Sequence, residues 1–429
     1  MESTPPMENK PRLKTQLAAL ALAFTAIVPS LHAQLTLPTT DVSDGALNIT
    51  NSGVTSIDLT LATYGISWTN NNAGNAGHGV YDPAQWAVVF KYSSVYIASN
   101  ATVTFINNQT HAPVVWLVNG NVTINGTVNL DGQAGNNTDS QNLAEPGPGG
   151  FRGGGGPVYG YGPGFGPGGG SGPGYSGNYA ATIYSYGNPQ ILPLIGGSGG
   201  SGAGAVNGCG GGGAILIAVT GTMNLTNGNL HATGGYNSGT TGSGSGGGIR
   251  LVAYQISGNA STSITALGGN NDTTIEGRIR LEANSVNGSP ITKPATQVVS
   301  PDSPVIKIFP ATNAPTVTIV NVGTMPVSAD PKAIMSSGVN ADDVTLVTTN
   351  VVTILLQTQN FPTNGMVTVY IKPRNNNSPE TILPPATFAS AVLGVVFQPP
   401  TSPPVDGLGL GSPFTTPLLC AHCNPYSRP

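Results

Sequence analysis

The sequence predicts an all-β chain in which a parallel β-solenoid is followed by a small immunoglobulin-like β-sandwich. The first observation is a repeated phrase. Gly210–Gly213 leads into the apolar run Ala214–Val219, Gly246–Gly248 into Ile249–Ala253, and Gly277 into Arg278–Ala283, each followed by Asn, Thr and Gly punctuation. The second is the spacing, since these phrases return at offsets of 34 and 30 residues and Ala232–Gly235 returns 34 residues on as Ala266–Gly269. A period of that size marks stacked repeats, each too small to bury its apolar face alone. The third is the absence of helical periodicity after residue 33, where apolar runs end at Gly or Asn within a few residues.

The chain begins with an export pattern. Lys10, Arg12 and Lys14 precede an apolar run over Leu17–Val28, and Leu31–Ala33 offers a cleavage site, so residues 1–33 are expected to be a signal peptide. As a helix the run would span roughly 18 Å, short of the ~30 Å of bilayer hydrocarbon. Without the three basic and two acidic residues of that segment, the 14 Lys/Arg and 18 Asp/Glu of the chain fall to 11 and 16, a net charge of −5. That balance argues against nucleic acid and anionic membrane as partners. Cys209, Cys420 and Cys423 are too few for a disulfide framework.

Residues 34–290 are expected to form the solenoid. Val122, Ile124, Val128 and Leu130 share one face and Thr123, Asn125, Thr127 and Asn129 the other. Met223 and Leu225 point inward, with Thr222, Asn224 and Thr226 outward. In the last repeat Ile279, Leu281 and Ala283 point inward, and Arg278, Arg280 and Glu282 to water. Two or three strands per 30–34 residues are too few for a hairpin meander and suit one turn of a parallel stack, where turn Asn and Thr form side-chain ladders. Residues 146–213 hold 29 glycines in 68 positions and read as an insertion. Glycine falls at every second position from Gly160 to Gly174, which fails the collagen repeat, and the prolines forbid a continuous strand. The segment is either a solvated loop or a contact surface bearing Tyr161 and Phe165.

Residues 291–312 read as a linker. Thr316–Val322, Val344–Val352, Ile354–Thr358, Met366–Lys372 and Phe388–Phe397 supply longer β-rich runs, separated by turn signals, and 313–398 suit an immunoglobulin-like sandwich. Residues 399–429 form a Pro-rich tail expected to be disordered.

Val122–Gly132 and Gly246–Ala253 resemble the repeats of glycine-rich, right-handed parallel β-helix proteins exported by bacteria, similar to adhesin and autotransporter passenger regions. The resemblance covers residues 34–288. It implies a secreted or cell-surface location and an adhesive or structural role, and the family supplies no universal active site.

No catalytic, cofactor-binding or metal-ligating residue is assigned. Cys420 and Cys423 form a Cys-x-x-Cys pair without a second ligand pair, and Asn424 stands where haem attachment needs His. His78, His111 and His231 lack triad partners in sequence. Thr222, Asn224 and Thr226 do not repeat as an ice-binding array, and the sequons at Asn121, Asn125 and Asn224 follow from composition. Asp131, Asp272, Glu276, Arg250, Arg278 and Arg280 are the charges available to one face. Arg250 and Arg280 occupy equivalent positions, so they either grip an anionic sugar or are neutralised by Asp272 and Glu276 as solvated ion pairs. The expectation is therefore an exported structural or adhesive protein without catalytic activity or cofactor, with cell-surface glycans or surface proteins as partners. The alternative is a carbohydrate-active β-helix, a polysaccharide lyase, glycosidase or sugar-binding module.

Overall fold

The computed structural model describes residues 35–135, 143–155, 164–169, 186–202, 206–237, 242–327, 344, 350–362, 365–367, 369–371, 381–382, 386–387 and 392–397. The expected signal peptide at 1–33 and the tail 399–429 with Cys420 and Cys423 lie outside the described residues. Among the described residues the chain is all-β, with short 3-10 turns and no α-helix. No helix among the described residues is long and apolar enough to cross a membrane.

Along the chain, β1 (Gly45–Ile49), β2 (Gly53–Asp58), β3 (Thr63–Tyr64), β4 (Val80–Asp82), β5 (Ala87–Ile97) and β6 (Ala101–Ile106) precede β7 (Val114–Val118), β8 (Val122–Ile124) and β9 (Thr127–Asn129). After the glycine-rich segment come β10 (Ala214–Val219), β11 (Thr222–Asn224), β12 (Asn229–His231), β13 (Gly248–Ser257), β14 (Ser263–Thr265), β15 (Arg278–Asn287), β16 (Ile291–Lys293) and β17 (Val298–Val299). They form an 11-stranded sheet and a six-stranded sheet ordered β16-β14-β12-β9-β6-β2. Pairing is parallel throughout except between β4 and β5.

The register follows the sequence phrases. Ile215 pairs with Ile249 and Ile249 with Ile279, while Ile217, Leu251 and Leu281 align one step on. Like side chains therefore stack over like. The inner faces of both sheets share one core, which contains Val88, Phe90, Trp116, Ile217, Leu251 and Leu281. Tyr92 lies 5.5 Å from Phe90 and 6.0 Å, edge on, from Trp116. Each fully buried aliphatic or Phe side chain here contributes about 1.5–3 kcal/mol. At the turns side-chain rungs occur, with Asn259 Nδ2 donating to Asn227 Oδ1 at 2.9 Å and Thr222 Oγ1 to Asn121 Oδ1 at 3.3 Å.

The outer face of the long sheet is covered, contrary to the alternation read from sequence. Leu35, Ile191, Leu194, Ile306 and Ile308 pack on Val89, Val115, Leu117, Leu216 and Val252 as a second core. Thr36 N donates to Pro304 O at 2.8 Å and Ile306 N to Thr36 O at 3.0 Å, so the segment around Thr36 and the stretch read as a linker form one strap. Val122–Leu130 alternate as expected, but β7, β10 and the first half of β13 are buried on both faces.

The described parts of residues 146–213 are likewise no solvated loop. Residues 144–151 and 196–202 are almost wholly buried, and their amides bond other glycine segments. The pattern has a period of three. Gly210 N donates to Gln133 O, Gly211 N to Phe151 O, Gly212 N to Ser245 O, and Gly213 N returns to Leu130 O, at 2.7–2.9 Å. Gly197 and Gly200 both donate to the 209–212 segment, and Gly244 and Gly247 to 232–235. Three residues per turn is the periodicity of polyproline II, which has no internal hydrogen bonds and leaves every amide free for a neighbour. A segment surrounded on all sides needs glycine at every position. A Cβ would sit 2.2 Å from Glu145 O at Gly210, 2.0 Å from Gly197 O at Gly211 and 2.1 Å from Ala232 O at Gly212.

Downstream, β18 (Thr316–Val322), β19 (Met325–Pro326), β20 (Val352–Gln359), β21 (Met366–Val367), β22 (Tyr370–Ile371), β23 (Thr381–Ile382), β24 (Ala386–Thr387) and β25 (Val392–Phe397) pair only antiparallel. They give one sheet ordered β19-β18-β20-β25 and the pairs β21-β24 and β22-β23. Ile319, Val322, Val352, Ile354, Leu356, Val367 and Val369 form their core.

Glycine packing generates a direct expectation. At Gly247 a Cβ would lie 1.8 Å from Gly213 O, whereas at Gly74 it would meet nothing within 4 Å. Gly247→Ala should therefore lose about 3 kcal/mol or more in denaturant unfolding, while Gly74→Ala stays within about 0.5 kcal/mol of the parent. Equal stability of the two variants would contradict the packing.

Candidate functional site

Three clusters of charged side chains stand out among the described residues. Under the strap, Arg250 and Arg280 align in register on β13 and β15, as the repeat predicts. Their partner is Glu282, not Asp272 or Glu276. Glu282 Oε1 accepts from Arg250 Nε at 2.8 Å and Arg280 Nε at 2.7 Å. Arg250 and Glu282 are each only 4% exposed, so this is a buried triad in place of the expected solvated pairs. Arg250 Nη1 also donates to Lys307 O at 2.6 Å, a strap carbonyl. Asp272 instead accepts from Thr274 N in a local turn at 2.8 Å, and Glu276 is exposed. The triad therefore fastens the strap, and both of its arginines are engaged within the fold.

Burial pushes the Glu282 carboxyl up, but hydrogen bonds and charge from Arg250 and then Arg280 outweigh it, and its pKa lies below the ordinary 4.5.

A second cluster surrounds fully buried Lys91 on β5. Its Nζ lies 2.6 Å from Asp41 Oδ2 and also donates to Asn70 O. Asp44 nearby accepts from Lys91 N, Asn72 Nδ2, Gly77 N and Gly79 N at 2.7–3.1 Å, which fixes the loops before β4. Both clusters are internal fastenings.

The third cluster lines a cleft of about 1010 Å³ where the six-stranded sheet meets the glycine layers. Its walls come from the end of β6 and the loop to His111, from the segment after β9 that carries Asp131, and from Glu145–Pro148 with Arg152. Asn108 shapes the loop, since its Oδ1 accepts from Thr110 Oγ1 and Ala112 N. His111 follows with φ +47, a left-handed conformation uncommon for a non-glycine residue. Its imidazole is 3% exposed, and Nε2 lies 2.8 Å from Glu145 Oε2. Glu145 Oε1 takes a hydrogen bond from Arg152 Nη2.

Burial lowers the His111 pKa, Glu145 opposes that shift, and Arg152 adds to it. The neutral ring then donates from Nε2 to Glu145. Glu145 is raised by burial but brought below its ordinary value by His111 and then Arg152, so it stays ionised. Asp131 is shifted the other way. Burial raises it against the hydrogen bond from Thr233 N at 2.6 Å, and His231 Nδ1 stands 3.9 Å from its carboxylate.

Four buried polar atoms here have no hydrogen-bond partner among the described residues: His111 Nδ1, Asn107 Oδ1, and Arg152 Nε and Nη1. Each costs about 1–3 kcal/mol, and such groups gather where a fold serves something other than its own stability. Of the residues singled out from sequence, the structure brings His111 and Asp131 to this cleft and leaves His78 elsewhere. Glu145 and Arg152 carried no sequence signal, because their partner His111 is 34 and 41 residues away. No three His, Cys, Asp or Glu among the described residues gather as metal ligands. Cys209 is buried in the glycine layers.

The triad under the strap yields a pH expectation. The stability that ionised Glu282 contributes is fully present above about pH 4.5 and is lost as pH falls through its lower folded pKa. Glu282→Gln, which strands two guanidinium groups, should cost about 3–5 kcal/mol near neutrality. Urea unfolding should show that gap narrowing below pH 4.5. A gap that widens on acidification would contradict the assigned ionisation.

No protein-family model, curated protein or solved structure matches this chain.

Proposed function

We propose that the chain is an exported extracellular or cell-surface scaffold with a structural or adhesive role and no catalytic turnover. In this reading the two parallel sheets and the glycine layers are the walls of a right-handed parallel β-helix, and the antiparallel strands after Thr316 form an immunoglobulin-like sandwich. The observation that carries it is the internal use of charge. Lys91, Arg152, Arg250 and Arg280 each bond a carboxylate within the fold, so these cations are tied into it rather than left free to act on a charged substrate. The in-register parallel stack supports the solenoid, because each repeat adds strand to both sheets. The basic, apolar and small-residue pattern of residues 1–33 supports export.

Two measurements test the reading. Intact mass of secreted protein should give an N-terminus at Gln34, and a membrane-extracted form retaining residues 1–33 would contradict export. Incubation with pectin, alginate or neutral polysaccharides, with or without Ca²⁺, should release no reducing or unsaturated sugar. Release that Asp131→Ala abolishes would overturn the scaffold in favour of an enzyme.

A further inference from the structure

The geometry points to the cleft between the end of β6, the Asp131 segment and Glu145–Arg152 as a binding site for a neutral oligosaccharide. The cleft holds about 1010 Å³, the size of a ligand pocket. Its chemistry selects the ligand. Gln109 and Gln133 are exposed carboxamides on its walls, and Asn107 Nδ2 is held by Pro146 O at 2.8 Å while its Oδ1 is unpartnered. A carboxamide both donates and accepts, as a sugar hydroxyl does, and the partly exposed carboxylates of Asp131 and Glu145 accept from paired hydroxyls. Ile106, exposed at the end of β6, supplies an apolar wall for the C–H face of a pyranose ring.

Charge excludes the acidic alternative. Arg152 and Glu145 neutralise each other, burial disfavours the charged form of His111, and the carboxylate of Asp131 remains to repel an anion. The unpartnered atoms of His111, Asn107 and Arg152, buried behind this wall, are polar groups held in place against their own cost. The backbone supports it, because Gln133 N donates to Glu145 O at 2.8 Å and Gly149 N to His111 O at 2.6 Å, joining the three wall segments. This inference does not depend on the scaffold reading: turnover would remove the scaffold alone, and a failure to bind would remove the site alone.

The test is calorimetric titration of the full secreted chain with cellotetraose, maltotetraose, mannotetraose and chitotetraose, and with tetragalacturonate as the acidic counterpart. At least one neutral tetrasaccharide should bind with a Kd below about 1 mM, and tetragalacturonate at least tenfold more weakly. The double substitution Gln109→Ala and Gln133→Ala, both at exposed positions, should weaken neutral binding at least fivefold without moving the melting midpoint. No binding by any neutral sugar, tetragalacturonate binding as tightly as the best of them, or full affinity in the double variant would each overturn the proposal.

Discussion

Main chain packed directly against main chain is the constraint on which the rest of this molecule depends. Around Gly196–Gly202, Gly208–Gly213 and Gly242–Gly248, neighbouring segments approach so closely that a single methyl group would overlap a carbonyl oxygen. The hydrogen bonds that result run in three directions from each segment and satisfy amides that otherwise need a sheet or water. Apolar side chains contribute little in these layers, so cohesion comes from saturated backbone polarity and dense packing. The same layers position the entry to β10 and β13 and carry Glu145 and Arg152 to the cleft. Loss of the layers would therefore dismantle both the repeat register and the polar wall.

The strap is a second consequence of sheets buried on both faces. Parallel strands covered on each side read as continuous apolar runs, as Val114–Val118 and Ala214–Val219 do. Covering them brought charges inside, and the Arg250–Glu282–Arg280 triad is the result. A buried ion pair adds little net stability over an apolar substitute, but breaking it is costly. Its placement under Lys307 and Pro189 carbonyls fixes where the covering segments lie.

The strands of the repeats were legible in sequence because alternation along Val122–Leu130 and the returning Gly-apolar phrases are direct images of pleat and register. The glycine layers were not. A three-residue turn made of glycine leaves no hydropathy signal, and its neighbours are fixed by backbone contacts from distant segments. The outward charges of β15 misled for a related reason: Glu282 alternates correctly, but the segment that buries it arrives from residues 302–309. Asp131 and the Arg250–Arg280 register stood out in sequence, whereas the link from His111 to Glu145 and Arg152 required the fold, since no local spacing joins them.

Native-state amide hydrogen exchange tests the claim of backbone cohesion most directly. The amides of Gly200, Gly211, Gly212 and Gly247, bonded to other segments, should exchange as slowly as those of Ile217 and Leu251 in the hydrophobic core, through the same global opening. Exchange of those glycine amides at rates of an unstructured chain, with Ile217 and Leu251 still protected, would contradict it.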